Sequence, residues 1–214
     1  MRVVIAGGHG QIALLLERAL TERGDEAVGI VRNPDHVADV EATGAEAAVL
    51  DLEQATVEEL AALLAGADAV VFAAGGGPGS GAARKETVDK GAAILLADAA
   101  EQAEVRRYVM VSSMGTDRAD PDSDDVFQVY LRAKKAADDD LMRRDLEWTV
   151  VHPGRLTDDP GAGTVRVGRL ERGDVPRADV AAVIAAALHD ERTVGKDFDL
   201  LAGDQPVEDA LSTL

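Results

Sequence analysis

The stretch "VVIAGGHGQIALLLERAL", residues 3–20, decides the fold. Val3 to Ala6 form a short unbroken apolar run, the pattern of a strand buried on both faces of a parallel sheet. Gly7, Gly8 and Gly10 interrupt it, and with Ala13 they read G-x-x-G-x-x-A. Ile12, Leu15, Leu16 and Leu20 then recur at helical spacing. A glycine pattern carries most meaning when it follows a strand and opens a helix. Glycine permits the tight turn and a close approach of backbone to a pyrophosphate. The first helical turn offers unpaired N–H groups and a positive dipole end. Gly7, Gly8, His9, Gly10, Gln11 and Ile12 are therefore the expected dinucleotide cradle, with Ala13 facing the strand. A glycine-rich turn without a ligand, with His9 facing solvent, is the competing reading.

Working outward, short apolar runs alternate with amphipathic ones. AVGIV (27–31), EAAVL (46–50), AVVFA (69–73), RYVMV (107–111) and WTVV (148–151) read as strands, and FDLL (198–201) as a last one. Helical segments fall near 34–43, 56–65, 83–103 and 125–145, and a late helix follows Asp179, its expected N-cap. Such alternation predicts an α/β fold: a doubly wound parallel sheet with helices on both faces. The order changes at the turn-rich LTDDPGAGT (156–164). The expectation is one domain over 1–214, with a small cap from about residue 152 over the carboxyl ends of the strands, where open α/β sheets bind ligands.

Composition removes several function classes. The chain has 214 residues, 46% of them hydrophobic and only 3% aromatic, so it can bury one sizeable core. Its net charge of −18 repels phosphate backbones and anionic surfaces, which argues against nucleic acid as a partner. There is no cysteine, hence no disulfide, thiolate metal site or cysteine nucleophile. MRVVIAGG enters a strand directly, unlike a signal peptide, and no apolar run has membrane-spanning length. The expectation is a soluble cytoplasmic protein. His9, His36, His152 and His189 lack metal-ligand spacing, so no metal is assigned. Asp138 to Asp140 read as a solvated helix face.

Cofactor choice turns on strand ends. AVGIV ends in Arg32, Asn33 and Pro34, with no acidic residue to hold a ribose 2′-hydroxyl. Arg32 suits a 2′-phosphate, or is a surface arginine. Asp51 and Leu52 are placed to meet an adenine edge and ring face, although Asp51 could instead cap the next helix. Ala73, Ala74 and Gly75 leave room for ribose and phosphate. In "VYLRAK" (129–134), Tyr130 and Lys134 lie four apart and so share one helix face. They are either a catalytic pair or a surface tyrosine beside a solvated lysine.

These pieces carry a resemblance. AGGHGQIA, VRNP, LDL, the AAG after the fourth strand, VSSMG, YLRAK, HPGRLTDDPGAG and VPRADVAAVI occur in one order across about residues 1–190. The chain thus resembles the short-chain dehydrogenase/reductase superfamily, and more closely its small atypical NAD(P)H-binding branch of NmrA-like and biliverdin-reductase-B-like proteins. The resemblance implies a Rossmann-type domain holding NADP(H), and Arg32 favours NADP(H) over NAD(H). It makes Tyr130 the proton donor or acceptor at the substrate oxygen. Lys134 would hold the nicotinamide ribose and lower the tyrosine pKa, since an unperturbed tyrosine titrates near 10. The hydroxyl partner comes from Ser112 or Ser113, with Ser113 favoured. Pro153 and Gly154 would border the nicotinamide. His152 stands where relatives often carry arginine, and Met114 where some carry the catalytic hydroxyl. The implied activity is an NADP(H)-dependent oxidoreductase passing hydride to a small carbonyl, quinone or flavin-like acceptor. A non-catalytic NADP(H) sensor acting through a redox-regulated protein partner is the alternative, and an NAD-dependent epimerase a weaker one. A monomer and a homodimer are both compatible with the sequence.

Overall fold

The protein is described by a computed structural model over residues 1–77 and 79–214. Every strand expected from the apolar runs forms: β1 (Arg2–Ala6), β2 (Glu26–Val31), β3 (Glu46–Val49), β4 (Ala69–Phe72), β5 (Arg107–Val111), β6 (Glu147–Pro153) and, late in the chain, β10 (Lys196–Ala202). These seven lie parallel in the order β3-β2-β1-β4-β5-β6-β10. From β1 the chain builds outward through β2 and β3, then returns to place β4 on the other side of β1. That reversal opens a crevice at the carboxyl ends of β1 and β4.

Alternation along the strands divides the core in two. Val3 and Ile5 of β1 point into one cluster, which holds Leu16 and Leu20 of α1 (Gln11–Glu22) and Ile184 of α7 (Arg177–Leu188). Val4 and Ala6 point into the other, with α3 (Val57–Leu64), α5 (Ala93–Gln102) and α6 (Val126–Met142). α7 is apolar on nearly every side because it is buried on nearly every side.

Several segments differ from their sequence reading. The stretch at 34–43 is a 3₁₀ turn, Pro34–His36, followed by the short α2 (Val37–Glu41), because Asn33 caps the turn by accepting from the Asp35 amide at 3.1 Å. The helix near 83–103 has three registers: α4 (Ala82–Arg84), a π-helical run Lys85–Ala92, and α5. Asp179 is not an N-cap, since α7 begins at Arg177. It is buried, and its carboxylate accepts from the amides of Ala162 and Gly163, tying down the loop at 156–164. The changed order beyond residue 152 resolves into β7 (Arg155–Thr157) paired with β9 (Asp174–Pro176), and β8 (Thr164–Gly168), which runs antiparallel to β10 and to the two-residue β11 (Gln205–Pro206). The short α8 (Val207–Leu211) ends the fold. Among the described residues no helix is long and apolar enough to cross a membrane.

Candidate functional site

The glycine turn is built by close packing. Gly7 has φ of +88°, and a Cβ there would stand 2.6 Å from the Ala74 Cα, so only glycine lets the turn lie against the end of β4. A Cβ on Gly8 would meet the Gly29 Cα at 2.6 Å. Gly10 is the N-cap of α1 and adds no side-chain cap, and the first turn carries no acidic residue. Its amides are therefore free for an anion. Gly7, His9 and Gly10 line a first cavity and Ile12 a second. Gly8 instead packs against β2, and Gln11 is exposed outside both cavities. His9 does not simply face solvent: it stacks on His36 at 3.6 Å between ring centroids and its Nε2 lies 2.7 Å from Asp39.

The first cavity also takes Arg32, Asn33, Asp51 and Leu52, as the strand ends predict. Asp51 bonds the Glu53 amide at 3.0 Å rather than capping α3, which has its own capping box from Thr56 and Glu59. Arg32 is not free. Its Nη1 donates to Glu53 Oε2 at 2.9 Å, and Arg84 Nη2 donates to the same oxygen at 2.9 Å. The Thr87 hydroxyl donates to Glu53 Oε1 at 2.7 Å. That hydroxyl, with the two guanidiniums, holds the Glu53 carboxyl below its usual range. Sequence reasoning missed Glu53, Arg84 and Thr87. Only the tertiary fold brings the end of β2, the segment after β3 and α4 together.

Ala73, Ala74 and Gly75 line both cavities and join them. The second contains Tyr130, Lys134 and Ser112 together. Lys134 Nζ donates to the Val111 carbonyl at 3.0 Å and the Ala74 carbonyl at 3.4 Å, and lies 3.9 Å from Asp89. Burial pulls its ammonium down, while Asp89 and Asp138 oppose the fall. Tyr130 is pushed up to about 12, chiefly by burial, with the Ser113 hydroxyl acting the other way. Burial dominates at this phenol, and the Lys134 ammonium is turned to backbone carbonyls. Asp89, fully buried, also accepts from the Gly76 amide at 3.0 Å. Lys85 lies over the Tyr130 ring at 5.3 Å from its centroid. Neither Lys85 nor Asp89 stands out in the sequence, because charged helix residues read as solvent-facing, yet both are buried with Val88 and Ala92.

Behind this cavity, Ser112 donates to Asp138 Oδ2 at 2.6 Å. Asp138 is fully buried, one turn beyond Lys134, so the solvated-face reading of residues 138–140 fails at its first member. Burial lifts its carboxyl above the usual range, against His152 and the Ser112 bond. With Ser112 engaged there, Ser113 is the serine left to an adjoining cleft, which it lines with Pro153, Gly154 and Phe127 below Arg118, Arg155 and Arg172. His152 approaches the Ser113 carbonyl at 3.2 Å through Nδ1 and steadies that turn. Among the described residues no group of three or more His, Asp or Glu side chains could hold a metal.

The site residues fit a dinucleotide on three counts: a glycine turn pressed to β4, an uncapped helix start beside it, and two guanidiniums lining the same cavity. Comparison with known proteins agrees with that fit. Residues 7–191 match the model of a family described as NAD(P)H-binding. YhfK of Bacillus subtilis, named an uncharacterized sugar epimerase, is 36% identical over 216 residues, covering 100% of both chains. A solved Bacillus halodurans protein, named as a candidate NAD-dependent epimerase/dehydratase, is 36% identical with a TM-score of 0.93, again over 100% of both chains. The oxidoreductase ylbE of Lactococcus lactis is 27% identical with a TM-score of 0.88, over 100% of this chain and 96% of that one.

Proposed function

The chain belongs to the NAD(P)H-binding family of atypical short-chain dehydrogenases and reductases, and from that membership we propose that it is an NADP(H)-dependent oxidoreductase acting on a small carbonyl, quinone or flavin-like acceptor. The observation that carries the reading is the meeting of Tyr130, Lys134 and Ser112 in one cavity, continuous through Ala73–Gly75 with the cavity of the glycine turn and Arg32. The pyrophosphate would rest on the amides at the start of α1, and Arg32 would take the 2′-phosphate. Lys134 would hold the nicotinamide ribose from its station at the ends of β4 and β5. Bound NADPH would supply the hydride. Tyr130, with a pKa near 12, carries its proton throughout the neutral range and would give it to the acceptor oxygen as that oxygen gains charge. Ser113 would steady the same oxygen, its turn held by His152.

An epimerase using tightly held NAD is the second reading, favoured by the names of the two 36% identical relatives. Such a protein would purify with bound dinucleotide and exchange little of it with free NADPH.

The test is a titration of NADPH and NADH, followed by a screen of acceptors by loss of NADPH absorbance. Tyr130→Phe is expected to bind NADPH within about twofold of the parent and to lose at least ~100-fold in turnover. A Tyr130→Phe variant as fast as the parent removes Tyr130 from the chemistry. NADPH binding with no turnover of any acceptor turns the reading to a sensor of the bound nucleotide, watched by a protein partner.

A further inference from the structure

Glu53 sits where an anion from outside would be expected. Its carboxylate is received by Arg32 from the end of β2, by Arg84 from α4 and by Thr87 from the π-helical run, at 2.9, 2.9 and 2.7 Å. Two guanidiniums and a hydroxyl converging on one oxyanion are the donor set that phosphate monoesters use. One donor of the set is also left unmet. Arg84 Nε is buried and has no acceptor among the described residues, and a phosphate has one oxygen more than Glu53 offers. Arg32, Glu53 and Arg84 line the same cavity as Gly7 and Gly10.

We propose that Glu53 is the cofactor-specificity residue: it fills the 2′-phosphate seat between Arg32 and Arg84, and NADP(H) binds only by displacing it. The inference rests on the dinucleotide reading above. Two anions cannot share the seat, so an incoming 2′-phosphate drives the carboxylate out and inherits both arginines. A cofactor with a 2′-hydroxyl leaves Glu53 in place, and the carboxylate can accept that hydroxyl. Glu53 therefore works against the phosphate and for the hydroxyl, while Arg32 and Arg84 work the other way. Because Thr87 and the two arginines keep the carboxyl ionised, the competition persists through the neutral range.

The experiment measures dissociation constants of NADP⁺ and NAD⁺ by calorimetry for the parent, Glu53→Gln and Arg84→Ala. Glu53→Gln keeps the shape and removes the charge. It is expected to tighten NADP⁺ by roughly tenfold and to leave NAD⁺ unchanged or weaker. Arg84→Ala, which tests the same seat without touching Glu53, is expected to weaken NADP⁺ by roughly tenfold with NAD⁺ within about twofold. A ratio of the two constants that stays within about twofold of the parent in either variant overturns the proposal while the dinucleotide reading stands. A parent that binds neither nucleotide overturns that reading, and the proposal with it.

Discussion

Glu17→Gln should make the protein more stable, and increasingly so as the pH rises. Glu17 lies in α1 beneath the glycine turn and is fully buried. Its Oε1 would stand 2.4 Å from a Cβ on Gly29 and 3.0 Å from one on Gly8, so two glycines make its space. Oε2 accepts from the Thr43 hydroxyl at 3.3 Å, and Oε1 has no partner among the described residues. Among the described residues no cation pairs with it, and burial pushes its pKa up to about 8 from an ordinary 4.5. The folded chain then holds this proton up to about pH 8, whereas the unfolded chain releases it near 4.5. Between those values the folded state binds more protons. The stability tied to this group is thus complete below pH 4.5 and is lost as the pH climbs to 8. The slope is about 1.4 kcal/mol per pH unit, reaching ~3 kcal/mol at pH 7 and ~4 at pH 8. Glutamine has no proton to lose. Urea melts of parent and variant at steps from pH 5 to 8.5 should match near pH 5 and separate by that amount at pH 8. In thermal melts the separation is about 10 °C for a chain of this size. A difference between the two that does not change with pH refutes the reasoning. So does a parent more stable than the variant at pH 8, because Glu17 would then be ionised and satisfied in the fold.

Other substitutions test the frame around the site. Arg107, at the amino end of β5, donates to the Glu147 and Ala187 carbonyls and to the Thr193 hydroxyl at 2.6, 2.7 and 2.8 Å. Arg107→Met should cost about 3–5 kcal/mol in denaturant melts while leaving dinucleotide affinity unchanged, because it orphans those acceptors at the end of the sheet away from the crevice. Gly154→Ala should lose about 2 kcal/mol or more in the same assay, since its Cβ would stand 2.3 Å from the Gly173 carbonyl oxygen. Ser112→Ala removes the hydrogen bond to Asp138, whose other oxygen has no partner among the described residues, and should cost about 2 kcal/mol. Asp138→Asn should make that serine change cheaper, a coupling that a double-mutant cycle of melting curves reads directly.

The frame of the protein was legible because it is written locally. A buried parallel strand is an unbroken apolar run, so residues 3–6, 27–31 and 69–73 announced themselves, and the seven parallel strands came out where those runs stand. Gly7 and Gly10 were legible because a turn between strand and helix has few residues that can make it. The short β7, β8, β9 and β11 were not, since β7, β9 and β11 last three residues or fewer and β8 pairs with strands late in the chain. The helix after β4 misled for a physical reason: Lys85 and Asp89 are charged and so look solvent-facing, yet both are buried with Val88 and Ala92.

What the sequence hid most thoroughly is the work of its acids. In a chain of net charge −18 each carboxylate has a ready explanation as solvating surface. Three of them are nothing of the kind. Glu53 gathers Arg32, Arg84 and Thr87 beside one cavity. Asp89 stands between Lys85 and Lys134, 3.9 Å from each, in the other. Asp138 fixes Ser112 behind it. Apart from Lys85, four residues before Asp89 in the same run, the partners arrive from other elements, so no window of sequence could pair them. Yet each acid lies against a cation or hydroxyl that sequence or structure assigns to the site, and the reason is electrostatic. A lysine or arginine held in a half-buried crevice loses hydration, and a carboxylate at close range restores part of that loss. The same attraction restrains the cation: what keeps Lys134 charged also competes for its hydrogen bonds. The crevice is therefore poised by opposed charges, and the proposed cofactor enters by replacing an internal anion with its own.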